Sequence, residues 1–356
     1  MKAVYLEKPS EAVRAIDVPE PSLSAGGVVV RITAAPVLSF MKKVLSGELG
    51  YAIDTPWIPG ANGVGLVERV ADDVIGLKAG QQVFIDPYVY THTTTDSYDG
   101  ILIGLTALGP DSGKIQRRWR NGTFAEKALL PAECLTVMEG VEWVEPRRLA
   151  ALSFAAIAYG GLLKGGLRPG QTLVISGATG NIGASAVLVA LAMGARRVVA
   201  VGREESVLQD LQSLDVKRVR TVTLQGNPER DRQAIAAAAA GGAHLVYDVL
   251  GNVPRFDPTA AAIYVLRRGG TAILMGGVQA AINLPYSHVM LNEITIRGAL
   301  MYPRSAPRDL IGMVAAGTLD LSKIRINPFP LENIHSALDS AERTRGREYT
   351  VLTPWW

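Results

Sequence analysis

The sequence predicts an α/β protein in two parts, a β-rich first part and a doubly wound parallel sheet. Three observations predict it. The chain has 356 residues, and single cores stop growing near ~250–300 residues, so two domains are implied. Up to about residue 150 the apolar runs are short and punctuated by proline and glycine. Beyond that point strand and helix patterns alternate regularly, as in a parallel sheet covered on both faces.

In the first part, Val28–Thr33 follows the turn pair Gly26-Gly27 and reads as a strand. Gly63–Val70 is a second strand, and Gln82–Ile85, after the turn Leu77-Lys78-Ala79-Gly80, is a third. The second part opens with Leu173–Ser176, a short apolar run of the kind buried on both faces. An all-apolar helix over Ile182–Met193 follows, then the strand Arg197–Gly202. The next helix places Val207, Leu208, Leu211 and Leu214 on one face. After Val219–Leu224, Asn227-Pro228-Glu229 opens another helix, with asparagine as cap and proline in the first turn. Leu245–Val249 and Thr271–Met275 continue the series. The predicted division is therefore 1–150 for the β-rich part, 151–290 for the doubly wound part, and 291–356 for a return to the first part. That return includes a helix near Arg308–Ala316, closed by Gly317.

Composition excludes several classes. Lys plus Arg is 36 and Asp plus Glu is 33, a net charge of +3, with no basic block, so no nucleic-acid partner is implied. The single cysteine, Cys134, excludes an internal disulfide and every zinc cluster built from several cysteines; it reads as a buried small hydrophobe. The longest apolar run, Ala184–Ala195, is too short for a membrane span of ~20 residues. The start of the chain lacks the apolar stretch of a signal peptide, and a cytoplasmic protein with no membrane partner is expected.

The motif that carries most chemistry is Gly177-Ala178-Thr179-Gly180-Asn181-Ile182-Gly183, set between a strand and a helix. Its spacing is GxxGxxG, not the commoner GxGxxG. Gly177 permits a tight exit from the strand, Gly180 lets backbone approach a pyrophosphate, and Gly183 lets the helix pack on the sheet. The helix start offers unpaired N–H groups and a positive dipole end to an anion. Thr179, Asn181 and Ile182 complete the predicted cofactor turn. The following strand ends at Gly202-Arg203-Glu204. Glycine at that end removes the carboxylate that would repel a 2′-phosphate, and Arg203 can pair with one, which favours NADP(H). Arg218, with Lys217 and Arg220, is read as further positive charge for the same pocket or as a solvated strand-end cluster. A one-residue shift would instead put Glu204 on a ribose.

These segments give the chain a family resemblance. The Met1-Lys2-Ala3 start, Pro59-Gly60-Ala61-Asn62-Gly63-Val64-Gly65, Leu77–Val83, Gly122-Thr123-Phe124-Ala125-Glu126, the glycine-rich turn, Val246–Gly251 and Phe329-Pro330-Leu331-Glu332 occur in a specific order. Together they resemble the medium-chain dehydrogenase/reductase superfamily, which includes zinc alcohol dehydrogenases and quinone oxidoreductases. The resemblance implies a GroES-like catalytic domain around a central Rossmann domain, with a substrate cleft between them, and a homodimer paired through the Rossmann sheets. It extends the cofactor contacts to Leu250 and Gly276.

The departures from the family matter. Its zinc-ligand positions match Leu38, Ala61 and Ser153 here, and none is a credible zinc ligand. The segment between Phe84 and Phe124, where the structural-zinc lobe would lie, contains no cysteine. No metal site is predicted. A hydroxyl, imidazole, amide or water must then stabilise charge developing on the substrate oxygen. The candidates are Tyr51, Ser39, Asn62 and His92. Tyr51 lies near the tyrosine position of related enoyl reductases, with Leu49 as the competing alignment. Ser39 and Asn62 stand beside the vacated ligand positions, where they either serve the substrate or simply fill space. His92 lies in a polar loop-like run and is either catalytic or merely exposed.

Two enzymatic functions follow. One is zinc-independent, NADPH-dependent reduction of an aldehyde or ketone, favoured by the long Phe84–Phe124 segment. The other is reduction of an activated C=C bond in an enone or quinone. A third possibility of another class is an NADP-binding sensor or structural protein that has lost catalysis.

Overall fold

The computed structural model describes residues 1–8, 11–90, 100–251 and 253–355. The chain divides into two compact units. The first holds residues 1–153, 324–344 and 348–356, and the second 154–323 and 345–347.

The first unit is built on a largely antiparallel sheet. Its central strand, Gly27–Pro36, is ten residues long and almost wholly buried. It pairs with Gly63–Val70, with Lys127–Pro131 and with the late strand Glu348–Leu352. Gln82–Ile85 and Leu135–Val137 extend the sheet beyond Gly63–Val70. Arg325–Phe329 extends it on the other side, parallel to Glu348–Leu352. The chain end therefore completes the sheet begun by the N-terminal strands, as the resemblance implies.

The Pro59–Gly65 motif has a packing reason. The Gly60 carbonyl oxygen lies 2.1 Å from where a Cβ on Gly104 would sit, and 1.9 Å from one on Gly122. Three backbone segments cross here, and only glycine leaves room.

The second unit carries six parallel strands, Thr172–Ser176, Arg197–Gly202, Val219–Thr223, Ala243–Asp248, Leu266–Leu274 and Thr295–Gly298. In the sheet they run in spatial order 3-2-1-4-5-6, the doubly wound Rossmann arrangement. The strand order reverses between Thr172–Ser176 and Ala243–Asp248, and ligands bind such sheets beyond the carboxyl ends of the strands at that point. Val174, Val199, Val246 and Ala272 from the strands and Ile235, Ala261 and Ile263 from helices form one face of the core. The helix Asn181–Ala192 is buried nearly all round, as its composition predicts. Asn227 caps the helix Pro228–Ala239 by accepting the Arg230 N–H at 3.1 Å.

The second unit extends past residue 290, beyond the expected division. Thr295–Gly298 pairs with Leu266–Leu274 as the sixth parallel strand, and the helix Ala306–Ala315 belongs to the same unit. The return to the first unit begins at Ile324. No helix among the described residues is long and apolar enough to cross a membrane.

Candidate functional site

The cofactor turn forms where the first strand of the second unit ends. Gly177 adopts φ +87°, a left-handed conformation that turns the chain sharply out of the strand. The N–H groups of Gly177 and Ala178 both donate to the Val201 carbonyl, tying the turn to the neighbouring strand. A Cβ on Gly183 would sit 2.2 Å from the Gly177 carbonyl oxygen, so the helix starts as close to the strand end as backbone allows. Gly180 is the N-cap of the helix Asn181–Ala192, and no side chain caps that helix. Its first N–H groups are thus not taken by a capping side chain, the arrangement that suits a pyrophosphate.

Thr179, Gly202, Leu250 and Gly276 gather around this turn. A Cβ on Gly202 would sit 2.4 Å from Thr179 Cγ2. The Leu250 nitrogen lies 2.9 Å from the Cβ position of Gly177, and the Leu250 carbonyl oxygen 2.3 Å from that of Gly276. Buried Asp248 orients this loop by accepting the Leu250 N–H at 3.1 Å and the Thr259 hydroxyl at 2.6 Å. Burial pushes its carboxyl above the usual carboxylate range, partly offset by those two hydrogen bonds. Asn181 is buried and its amide donates to the Gly346 carbonyl at 3.2 Å, while Ile182 is half-buried. Gly346 escapes sequence reasoning because its partner Asn181 lies 165 residues earlier along the chain.

Arg203 is exposed and forms no ion pair among the described residues. Arg218 does not belong with it. Gly202 pairs in register with Thr223, whereas Arg218 precedes Val219, at the opposite, amino-terminal edge of the sheet. There its guanidinium is held by Asp215 at 2.6 Å and by the Leu191 carbonyl at 3.1 Å. Arg220 likewise turns back to the carbonyls of Val216 and Val219. Arg218 therefore lies away from the cofactor pocket expected for it, because cofactors of such sheets bind at the other ends of the strands.

In the first unit the candidate donors lie on separate segments. Ser39 is exposed, in the turn before the short helix Met41–Leu45. Tyr51 is half-buried, next to Ala52, which bridges to Ala107. Burial raises the Tyr51 phenol above its ordinary value. Neither Ser39 nor Tyr51 makes a side-chain hydrogen bond among the described residues. Asn62 is buried, its side-chain amide donating to the Ile85 carbonyl at 3.3 Å and its backbone carbonyl accepting the Thr123 hydroxyl at 2.7 Å. His92 lies outside the described residues. Cys134 is buried, as predicted.

Two family models match the chain, "Alcohol dehydrogenase GroES-like domain" over residues 24–140 and "Zinc-binding dehydrogenase" over 181–316. An alcohol dehydrogenase of Moraxella sp. (strain TAE123) is 30% identical over 347 residues, covering 97% of this chain and 96% of that protein. The chain belongs to the medium-chain dehydrogenase/reductase superfamily. It is an NAD(P)-dependent oxidoreductase of the alcohol dehydrogenase type. A sorbitol dehydrogenase of Mus musculus is 26% identical, over 95% of this chain and 92% of that one. Among solved structures, a thermostable alcohol dehydrogenase from Pyrobaculum aerophilum matches with a TM-score of 0.78 at 22% identity, over 99% of both chains. A zinc-binding dehydrogenase from Sinorhizobium meliloti bound to NADP matches with 0.81 at 19% identity, again over 99% of both. These structures share the fold.

The family name raises zinc, and the residues that the resemblance matches to its ligand positions do not fit it. Leu38 and Ala61 are buried and carry no donor atom. Ser153 is buried with its hydroxyl unpartnered, a single neutral oxygen in place of a charged or imidazole ligand. No group of three or more His, Cys, Asp or Glu side chains suited to a metal occurs among the described residues.

Proposed function

We propose that this dehydrogenase is a zinc-independent, NADPH-dependent reductase of small aldehydes or ketones. The observation that carries the proposal is the replacement of the metal-ligand set by Leu38, Ala61 and Ser153 on a scaffold whose cofactor turn is intact. The preference for NADPH is supported by Gly202 and the exposed Arg203 at the end of the second parallel strand.

Gly177, Gly180 and Gly183, with the start of the helix Asn181–Ala192, hold the pyrophosphate. Leu250 and Gly276 line the continuation of the same crevice. When bound, the nicotinamide supplies a hydride for the carbonyl carbon. Negative charge then develops on the substrate oxygen, and with no Lewis acid a hydroxyl must meet it. Tyr51 is the proposed proton donor, because burial keeps its phenol neutral and no partner among the described residues occupies it. Ser39 is a proposed second hydroxyl. Asn62, already pinned to Ile85, shapes the site.

We further propose a homodimer formed through the second unit. Its edge strand Thr295–Gly298 is largely exposed, and Tyr286, Met290, Leu291 and Leu300 around it are exposed apolar side chains.

Product identification tests the reaction. The protein is supplied with NADPH and an α,β-unsaturated ketone, and the product is read by mass and NMR. An allylic alcohol is expected. A saturated ketone would move the assignment to C=C reduction, and no turnover across aldehydes, ketones, enones and quinones would point to a binding protein.

A further inference from the structure

Of the residues that follow Ile324, only Arg345–Arg347 belong to the second unit. These three residues are fastened to its cofactor turn. The Gly346 N–H donates to the Thr179 carbonyl at 2.8 Å, and the Gly346 carbonyl accepts the Asn181 amide at 3.2 Å. Gly346 takes φ +61°, and a Cβ there would meet Val207 Cγ1 at 2.8 Å. Arg347 anchors the segment on one side. It is buried, its Nε and Nη2 donate to the two Asp210 oxygens at 2.9 and 2.5 Å, and its Nη1 donates to the Lys323 carbonyl at 2.9 Å.

Arg345 projects on the other side. Its Nε donates to Glu204 Oε1 at 3.2 Å. Glu204 stands two residues beyond Gly202 and next to Arg203, where the adenosine ribose of a dinucleotide is read. Its carboxylate does not cap the helix Glu205–Gln212, so the ion pair with Arg345 is its evident role. Both side chains are close to half exposed, 42% for Arg345 and 47% for Glu204. Such a pair adds little to stability and costs little to rearrange.

We propose that Arg345 is a specificity-determining residue for the phosphorylated ribose. It pairs with the 2′-phosphate beside Arg203, and it neutralises Glu204, the carboxylate that follows Arg203 in the chain. Without Arg345, Glu204 repels the phosphate and is available to an unphosphorylated ribose. The inference rests on the NADPH preference proposed above. It goes beyond that reading because the cation comes from the end of the chain, held in place by both backbone groups of Gly346.

The test is calorimetric binding of adenosine 2′,5′-bisphosphate and of 5′-AMP to the full chain, with melting temperature as a folding control. The wild type is expected to bind the bisphosphate at least about tenfold more tightly than 5′-AMP. Arg345→Ala should weaken the bisphosphate by about tenfold or more, the usual worth of a charge-assisted hydrogen bond, and leave 5′-AMP within about twofold. Arg345→Lys should retain most of the preference. Adding Glu204→Gln to Arg345→Ala should restore part of it. If Arg345→Ala keeps the full preference while Arg203→Ala loses it, the role of Arg345 is overturned and the NADPH preference stands. If Arg345→Ala weakens both ligands equally at unchanged melting temperature, Arg345 supports the turn and does not read the phosphate. A wild type that does not distinguish the two ligands overturns the NADPH preference, and this inference with it.

Discussion

Tyr51 is the proposed proton donor, the role a Lewis acid would otherwise share at the substrate oxygen. Its phenol must be protonated to act as an acid, so reductive activity is present below its pKa and lost above it. Burial moves that pKa upward, which places the loss at higher pH than for an exposed tyrosine. Tyr51→Phe should lower kcat by about 10²-fold or more and leave dinucleotide binding unchanged. In the wild type the alkaline limb of kcat should lie above the ordinary tyrosine range, and it should be absent from the residual activity of the variant. An alkaline limb that persists unchanged in Tyr51→Phe assigns the proton to another group. At the same scale, Asn62 shows why residue type alone does not define a role. Its position beside Ala61 was legible in the sequence, but its amide is committed to the Ile85 carbonyl, a partner on another strand. Arg218 makes the same point, because its charge is plain in the sequence and its end of the sheet is not.

At the scale of elements, legibility followed apolar patterning. Thr172–Ser176, Arg197–Gly202 and Ala243–Asp248 are buried on both faces, so each is a dense apolar run that stands out from its neighbours. Thr295–Gly298 is a four-residue edge strand, exposed at three positions, with no such run to find. That is why the sequence suggests a boundary near 290, although pairing of this strand carries the unit to residue 323. The segment Arg345–Arg347 was hidden for another reason. Most of its contacts, with Thr179, Asn181, Glu204 and Asp210, reach more than 130 residues back, and nothing local encodes them. Arg347 provides a measurable consequence. Its guanidinium is nearly buried against a partly exposed Asp210, so Arg347→Ala should destabilise the protein by ~2 kcal/mol. The same change should weaken dinucleotide binding, because the Gly346 contacts to the turn lose their anchor. Chemical denaturation and dinucleotide titration read the two effects. A variant with unchanged stability would show that the pair contributes nothing beyond its contact.

For the whole molecule, the intact cofactor turn and the altered metal positions occur on one family scaffold. The Rossmann sheet presents an exposed edge at Thr295–Gly298 beside Leu291 and Met290. Light scattering should give a dimer mass, and Leu291→Glu should shift it toward the monomer without loss of fold. A monomeric wild type would leave that edge unpaired in solution. Hydride transfer is proposed to proceed here without zinc. It is tested most directly by measuring NADPH-linked ketone reduction on one preparation before and after dialysis against a strong chelator, with bound metal quantified in both. An unchanged rate and no stoichiometric zinc at either stage are expected. A rate that falls with chelation and returns when zinc is restored would contradict zinc-free transfer.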